Sequence, residues 1–332
     1  MIAGLRQLKF SRDPAAVVSR ASVLSTVGPL LALVLACLFF TTRTDRFMTT
    51  DNLSLVIQQV AVVGILAIGQ TLIILTAGVD LSCGAVMAFA TIAMTRLAVT
   101  HHFNPFVAIA LGIGVGLAFG AVNGALVTVL RLPPFIVTLG TLNIAFALTH
   151  ITSNEETIAK LPDPLVYFGN TFQVGSTAIT YGSVLALALT LLAWFVLSQT
   201  VGGRHIYATG NNPEAARLAG VRTRRVLIAV YASAGLLYGI AALVLIGRTG
   251  VGDPQAGQSA NLDSITAVVV GGTSLFGGRG GVIGTLIGTL IVGVFRNGLQ
   301  LMGIAAIYQF LITGALVILA VAVDQLSRRR QA

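Results

Sequence analysis

The stretch that decides the fold is residues 53–99, LSLVIQQVAVVGILAIGQTLIILTAGVDLSCGAVMAFATIAMTRLAV. It contains two apolar runs, and a short polar break around Asp80 separates them. A bilayer core of about 30 Å needs about 20 apolar residues in each helix that crosses it. The stretch therefore predicts two membrane-spanning helices, 53–77 and 82–99, joined by a tight connection.

The rest of the chain has the same character. Charged residues make up 9% of the 332 residues, whereas ordinary globular proteins contain about 25%. The mean hydropathy is +0.91, and apolar residues are spread so evenly that no separate soluble domain can be delimited. We therefore predict an all-α polytopic membrane protein with a single transmembrane domain, 1–332.

Ten membrane spans are predicted in total, and the eighth is short and rich in glycine. They are 22–40, 53–77, 82–99, 105–130, 134–152, 181–199, 226–246, 262–276, 281–300 and 304–323. Three polar segments lie outside them: an N-terminal flank at 1–21, a loop at 153–180 and a loop at 201–225.

The positive charges orient these spans, because basic loops stay on the cytoplasmic side. With the N-terminus inside, most of the 20 lysines and arginines lie inside, namely Arg6, Lys9, Arg12, Arg20, Arg131, Arg204, Arg217, Arg222, Arg224, Arg225, Arg279, Arg328, Arg329 and Arg330. Both termini and the 201–225 loop are then cytoplasmic, and the 153–180 loop is periplasmic. Membrane topology explains the net charge of +9 without any nucleic-acid partner.

The 201–225 loop contains a short predicted helix, 213–219. Asn212 suits the N-cap, Pro213 the first helical position, Glu214 the positive end of the helix dipole, and Gly220 the stop. Its surface residues are Ala215, Ala216, Arg217, Leu218 and Ala219. A helix this short is marginal without tertiary contacts, so it is either a docking element or a spare turn in a basic loop.

Catalytic and cofactor motifs are missing from the sequence. No G-x-x-x-x-G-K-[ST] phosphate loop, H-E-x-x-H or G-x-S-x-G motif occurs, so an ATPase and the enzymes that these motifs mark are excluded. The four histidines are scattered and the two cysteines, Cys37 and Cys83, lie in apolar runs, so we expect neither a metal site nor a disulfide. We expect no cofactor in this chain.

Polar residues inside the spans are the candidates for a translocation pathway, because they are costly in lipid. They are Gln58, Gln59, Gln70, Asp80, Ser82, Asn123, Thr138, Asn143, Asp263, Asn297 and Gln309. Each could instead hold helices together. Asp80, helped by Ser82, is expected to cap a helix that starts near Leu81, and Asp263 to act similarly at the eighth span.

Two patterns concern how the helices are arranged. Asp80 and Asp263, Asn123-Gly124 and Asn297-Gly298, and Gly140 and Gly314 form pairs that suggest an inverted repeat. Gly112, Gly116, Gly120 and Gly124 recur every four residues, which predicts close helix packing within the chain, in preference to a dimer seam.

Several motifs resemble those of ABC importer permeases of the ribose and simple-sugar family. EAARLAG at 214–220 is similar to their EAA signature, and the remaining matches cover most of the chain in the expected order. They are GQTLIILTAGVDLSCGAVMA at 69–88, NGALVTVLRLPPFIVTLGTL at 123–142, NLDSITAVVVGGTSLFGGRGG at 261–281 and NGLQLMGI at 297–304.

The resemblance implies a type II importer in the bacterial inner membrane. It implies that residues 212–220 couple to a cytoplasmic ATPase subunit that holds ATP and Mg, that a periplasmic sugar-binding protein docks outside, and that a second identical permease chain completes the pore. QQVAVVGILAIGQTLIILTAGVDLS, SNEETI, GVRTRRVLIAVY and AGQSANLDSITA look most similar to fructose permeases. The cargo is then a monosaccharide, with fructose first and ribose or a xylose-like sugar next.

Two other functions remain open at this stage. A related permease for branched-chain amino acids would share most of these features, and an ion-coupled secondary sugar transporter would share the inverted repeat and the buried polar groups. A membrane-embedded enzyme would need a catalytic constellation, and the sequence contains none.

Overall fold

The computed structural model describes residues 14–329, so parts of the predicted N- and C-terminal flanks lie outside the described residues. The helices are α1 (Pro14–Arg43), α2 (Thr50–Leu75), α3 (Cys83–Val99), α4 (Pro105–Val129), α5 (Pro134–Ser153), α6 (Asp163–Val166), α7 (Tyr181–Gln199), α8 (Val201–Asn211), α9 (Pro213–Leu218), α10 (Thr223–Thr249), α11 (Ala260–Val270), α12 (Val282–Leu301) and α13 (Ala306–Arg329). Two short strands, β1 (Thr171–Val174) and β2 (Thr177–Thr180), lie between α6 and α7.

Each of the ten predicted spans corresponds to one of these helices, namely α1–α5, α7 and α10–α13. In the described part of the chain, six are long and apolar enough to cross a membrane: α2, α4, α5, α7, α10 and α12. The other four have shorter described apolar stretches. The prediction of an all-helical polytopic membrane protein is therefore confirmed.

The eighth span is shorter than predicted. The sequence indicated 262–276, but α11 runs only from Ala260 to Val270, and its 11 residues reach about 16 Å. It ends because Gly271 and Gly272 follow, and Gly272 has a left-handed φ of 87°. Helix α11 thus covers about half of a bilayer core.

Two loops carry more structure than the sequence indicated. The 153–180 segment contains α6 and an antiparallel hairpin in which Thr171 pairs with Thr180, a short addition to the all-α fold. Ser54 of α2 donates a hydrogen bond to the carbonyl of Ala178 and ties this hairpin to the helices. The first part of the 201–225 segment is helix α8, whose buried face includes Ile206 and Gly210.

The helices form two halves with matching order. Helices α2–α5 run long, short, long, long, and α10–α13 repeat that order. Each half packs into the other in the same way, because α10 contacts α4 and α3 while α2 contacts α12 and α11. Helices α2 and α10 also pack antiparallel: Gly69 of α2 lies against Tyr238, whereas Gly78, just after the end of α2, lies against Tyr231, earlier in α10. This arrangement is that of an inverted repeat.

The predicted glycine stripe lies at the crossing of α4 with other helices of the same chain. Gly116 and Gly120 of α4 meet Gly235 and Gly239 of α10 backbone to backbone, and an added Cβ would clash with main-chain atoms. Gly124 continues this contact with α10, whereas Gly112 lies against Met94 of α3. Small residues let helices approach closely where lipid provides no hydrophobic driving force.

Candidate translocation pathway and coupling segment

Four of the predicted pathway residues meet in one buried network at the break between α2 and α3. Gln70 donates its side-chain amide to the backbone carbonyl of Asp80. Oδ1 of Asp80 accepts from Ser82 N at 2.7 Å and Ser82 Oγ at 2.6 Å, and Oδ2 accepts from the Tyr238 hydroxyl at 3.3 Å. Asn123 donates to Ser82 Oγ at 3.2 Å, which connects α4 to the break. The network thus joins both halves of the chain.

The predicted capping role of Asp80 is wrong in its details. Helix α3 begins at Cys83, and neither the Asp80 nor the Ser82 side chain accepts a hydrogen bond from the N–H groups of its first turn. The cap comes from the other half of the chain, because Oδ1 of Asn261 accepts from Gly84 N at 2.6 Å. Asp80 instead fixes the turn that precedes the helix. The pairing of Asp80 with Asp263 fails too, since Asp263 lies inside its helix, in the first turn of α11.

The N-termini of α3 and α11 therefore meet. Cys83 at the start of α3 lies 3.3 Å from Asn261 Oδ1 and 3.5 Å from Ser264 Oγ of α11. Both helices direct their positive dipole ends to this point. The predicted topology placed Asp80 and Asp263 on opposite sides of the membrane. In the structure, the two short helices that follow or contain them start side by side at this junction.

Thr138 and Asn143, both on α5, have different surroundings. Thr138 is buried and donates to Val79 O at 3.2 Å, so it joins the edge of the Asp80 network. Asn143 is exposed on the outer face of the helix and donates only to Leu139 O, one turn earlier. The structure thus keeps Asn143 apart from the other candidates.

Asp263 makes an ion pair instead of a cap. Its carboxylate accepts from Arg296 of α12 and from Ser259 Oγ, the latter at 3.0 Å. The Asp263 side chain is 5% exposed and that of Arg296 is 43% exposed. Arg296 was not among the predicted candidates, although a charged residue within the ninth apolar run, 281–300, was a signal that could have identified it.

Asn297 serves to join helices. It exchanges two hydrogen bonds with Asn52, at 2.8 and 3.0 Å, and both residues are buried. Asn52 stands at the start of α2 and Asn297 near the end of α12, so the pair fixes the two helices antiparallel. Gln58 is similarly engaged with Ser54 at 3.1 Å.

A cavity of about 320 Å³ lies between α2, α10, α11 and α12, at the end predicted to face the periplasm. It therefore separates the first half of the chain from the second. Its polar lining residues are Gln59, Arg248, Ser259, Asp263, Thr289, Arg296 and Gln300. Of these, the sequence analysis had identified only Gln59 and Asp263. Arg248 and Gln300 stand near helix ends, where sequence alone does not distinguish a lining residue from a residue in a loop.

The opposite end of these helices is closed by backbone contacts. Gly278 N donates to Leu75 O at 2.9 Å, and Gly210 of α8 packs against the same carbonyl. The hydroxyl of Tyr207 donates to Gly280 O at 2.8 Å. A second cavity, of about 390 Å³, lies beside this closure between α7, α8 and α12, and glycine backbone forms much of its wall.

Helix α9 is directly attached to this closure. Asn212 ends α8 and is also the N-cap of α9, where its Oδ1 accepts from Glu214 N at 3.1 Å and Ala215 N at 3.0 Å. Helix α9 ends at Leu218, and Gly220 then adopts a left-handed φ of 88°. The cap and the stop expected from the sequence are both present.

The longest exposed side chains of α9 are one charge pair and one leucine. Arg217 donates two hydrogen bonds to Glu214, at 2.6 and 3.2 Å, which lowers the pKa of the Glu214 carboxyl and keeps it ionised. Leu218 is 76% exposed, the largest value among the exposed large apolar side chains of the described residues. Ala216, predicted to belong to the surface, is instead buried and supports the helix from below.

Within the described residues, no group of three or more histidine, cysteine, aspartate or glutamate side chains is arranged to hold a metal ion.

Comparisons with known proteins agree with this arrangement. The sequence profile described as "Branched-chain amino acid transport system / permease component" matches residues 52–321. The fructose import permease protein of Rhizobium meliloti is 46% identical over 307 residues, which cover 91% of this chain and 85% of that protein. The ribose import permease protein of Bacillus subtilis strain 168 is 37% identical over 305 residues, covering 91% and 94%.

The D-allose transport system permease protein of Escherichia coli strain K12 is 34% identical over 298 residues, covering 90% of each chain. Similarity of this extent leaves no large part of either protein unmatched. The chain therefore belongs to the branched-chain amino acid transport system permease family, as a membrane-embedded permease component.

Proposed function

We propose that this chain carries a monosaccharide through the bacterial inner membrane as the permease subunit of an ATP-driven importer. The cargo is fructose first, and ribose or a xylose-like sugar next. The cavity between the two halves is the observation that carries the proposal, since a polar chamber of about 320 Å³ in so apolar a chain suits a small hydrophilic solute. The printed functions of the three relatives support the choice of a sugar.

The proposal includes partners that this chain needs. A cytoplasmic ATPase subunit, which holds ATP and Mg, contacts α9, a periplasmic sugar-binding protein delivers the cargo at the cavity end, and a second copy of the permease completes the transporter. The N- and C-termini and the 201–225 segment are then cytoplasmic, and the 153–180 segment is periplasmic. The exposed Leu218 and the Glu214–Arg217 pair support the role of α9 as the contact for the ATPase.

The geometry suggests how ATP binding reaches the membrane. A displacement of α9 is transmitted to α8 through their shared residue Asn212, and α8 touches the end of α2 and the loop before α12. Parting these backbone contacts opens the closed end while the halves come together around the cavity. Two distinct sites are then coupled through a two-state element, as allosteric coupling requires.

Uptake measurements test the proposal. Cells with and without the chain receive radiolabelled fructose, ribose or leucine, while the proton gradient is collapsed and cellular ATP is kept high. Sugar uptake that depends on the chain and survives the collapse is the expected result. Loss of uptake with the gradient indicates an ion-coupled transporter, and uptake of leucine alone indicates the amino-acid cargo that the family description names.

Charge reversal tests the coupling role of α9. Glu214→Arg removes the ion pair with Arg217 and places two positive charges one turn apart, so we expect loss of uptake at an unchanged membrane level. The double variant Glu214→Arg/Arg217→Glu restores the pair within α9 but exchanges the charges that a partner meets. If transport fails in both variants, the charges that α9 presents to a partner are required, and the ion pair alone is not sufficient. Wild-type uptake by Glu214→Arg contradicts the coupling role of α9.

A further inference from the structure

Two groups of polar side chains in the membrane-spanning part of this protein differ in their hydrogen bonding. Most bond to each other or to backbone carbonyls: Asn52 to Asn297, Thr71 to Thr285 at 2.7 Å, and Asn123 to Thr141 at 2.6 Å. Such pairing is expected, because lipid provides no alternative hydrogen-bond partner. These residues hold helices together.

The second group consists of Gln59, Arg248 and Gln300. Within residues 14–329, none of these three side chains makes a hydrogen bond or an ion pair with another part of the chain, and all three line the cavity of about 320 Å³. The adjacent Gln58 bonds to Ser54 and does not line the cavity, so position along the sequence does not decide whether a glutamine side chain is paired or free. Three long polar side chains are thus free to bind what enters.

The three residues come from both halves of the inverted repeat. Gln59 belongs to α2 of the first half, Arg248 to the end of α10 and Gln300 to the end of α12 in the second half. A solute that contacts all three residues therefore connects the two halves of the chain. Its binding is therefore sensitive to any movement that changes their separation.

The chemistry of the group suits a polyol. Each glutamine offers a carbonyl acceptor and an amide donor, and the guanidinium group of Arg248 offers up to five N–H donors. A hydroxyl group donates and accepts, so it can use both kinds. Apolar walls from Val60, Met87 and Val292 complete the cavity, and such a mixture of apolar lining with few polar groups is typical of small-molecule sites.

The charge of the cavity adds a constraint. Arg248 and Arg296 contribute two positive charges, and Asp263 contributes one negative charge that Arg296 already pairs. The unpaired charge belongs to Arg248. A protonated amino sugar should therefore be rejected relative to the neutral sugar of the same size.

We propose that Gln59, Arg248 and Gln300 form a sugar-binding site within the permease itself, which holds the hydroxyl groups of the cargo between its delivery and its release. The inference rests on the proposed import of a monosaccharide. It adds a substrate-selective step in the membrane to the selection made by a separate binding protein.

The test uses the complete transporter, with its ATPase and binding protein, reconstituted in liposomes. The variants are Arg248→Met and Gln59→Leu, which keep side-chain length or volume while removing the polar groups. Their matched controls are Arg46→Met, an exposed arginine in the α1–α2 connection, and Gln58→Leu, one residue from Gln59 but off the cavity. Sugar uptake is measured at saturating sugar-loaded binding protein, together with ATP hydrolysis in the absence of sugar.

A direct measurement accompanies uptake, namely equilibrium binding of labelled fructose or ribose to the permease–ATPase complex without the binding protein. We expect each cavity variant to lower sugar affinity and maximal uptake by about tenfold or more, as for a site that loses a hydrogen bond to a substrate hydroxyl. Sugar-independent ATP hydrolysis should stay within about twofold of wild type, and the two controls should match wild type in all measurements.

The outcomes separate the inference from the proposed function. If the wild type imports a sugar and both cavity variants bind and transport it as well as their controls do, the site is overturned and the import function stands. If the wild-type transporter imports no sugar, both are overturned. If Arg248→Met fails to fold, the Gln59→Leu and Gln58→Leu pair decides, because a glutamine-to-leucine change adds no charge and little volume.

Discussion

The two ends of the helix group α2, α10, α11 and α12 are built in opposite ways. At the end predicted to face the periplasm, long side chains such as Gln59 and Arg248 keep the helices apart around a cavity. At the other end, Gly210, Gly278 and the Leu75 carbonyl meet backbone to backbone. The difference teaches that one group of helices can be held apart by long side chains at one end and closed by backbone contacts at the other.

The largest expected effect comes from breaking the closed end. Gly210→Ala places a Cβ against the Leu75 carbonyl, and rigid backbone gives no room, so we expect destabilisation by about 3 kcal/mol or more and loss of uptake. Gly202→Ala is the control in the same helix, where the added Cβ meets only Thr200 Oγ1 at 3.5 Å. That change should be neutral or slightly stabilising. Thermal unfolding of the purified protein checks both variants. Equal melting temperatures would mean that the contact of Gly210 with the Leu75 carbonyl does not stabilise the closed end.

The ion pair at the open end should have a smaller effect. Asp263→Asn leaves Arg296 without its carboxylate, and we expect destabilisation of about 1–2 kcal/mol, because the half-exposed Arg296 retains solvent. A double-mutant cycle with Arg296→Gln should give a coupling energy of about 1 kcal/mol. Glu156→Gln, at an exposed site in the 153–180 segment, is the control for loss of one carboxylate. Additive effects of the two substitutions would mean that the pair does not hold α11 to α12.

Removing the cap of α9 tests the element that is attached to the closed end. Asn212→Ala deletes the acceptor for two backbone N–H groups and should weaken the short helix by about 1 kcal/mol. Because α9 is mostly exposed, the melting temperature of the whole protein should hardly change, whereas transport per ATP hydrolysed should fall. Asn212→Asp keeps a capping oxygen and should transport normally. An equal loss of transport in both variants would mean that the amide itself, and not the cap, is required.

The smallest effect concerns a single contact. Tyr207→Phe removes the hydroxyl that donates to Gly280 O and should cost about 0.5–1.5 kcal/mol. We expect a slightly lower melting temperature and a modest change in uptake rate, since backbone contacts keep the end closed. Tyr308→Phe, on the exposed face of α13, provides the control. A complete loss of transport in Tyr207→Phe would mean that this hydroxyl, and not the glycine backbone contacts, is the main interaction at the closed end.

Much of the architecture could be predicted from the sequence because it depends on local composition. Each of the ten predicted apolar runs corresponds to a helix in the described part of the chain, and the Asn212–Gly220 signals located the short helix α9. Cap residues and glycine stops act within a few positions of where they stand, so reading them requires no knowledge of the fold.

Features that depend on the other half of the chain were not predictable. The cap of α3 comes from Asn261, 177 residues from Gly84, and no local pattern points to it. The same reason explains why Asp80 and Asp263 were given the wrong roles. Helix α8 was interpreted as loop, because its glycines lower helix propensity and because the close contacts of Gly210 with Leu75 and Gly278 are not visible in the sequence.

The division of the polar residues into paired and free could not be predicted either. Asn297, Gln58 and Gln59 look alike in sequence, yet the first two bond within the chain and the third faces the cavity. Neighbouring positions such as Gln58 and Gln59 point in directions about 100° apart around the helix axis. Which of them faces a partner and which faces the cavity therefore depends on how the helix is rotated in the fold, and the sequence does not give that rotation.

The junction of α3 and α11 contains a native reporter of its own opening, the thiol of Cys83. Cys83 is fully buried there, between Asn261 and Ser264 of the opposite half, and a thiol reagent can reach it only while that junction is parted. The rate of alkylation at Cys83 during turnover, measured separately from that at the half-buried Cys37, therefore reports how often the junction opens, without any label having been introduced.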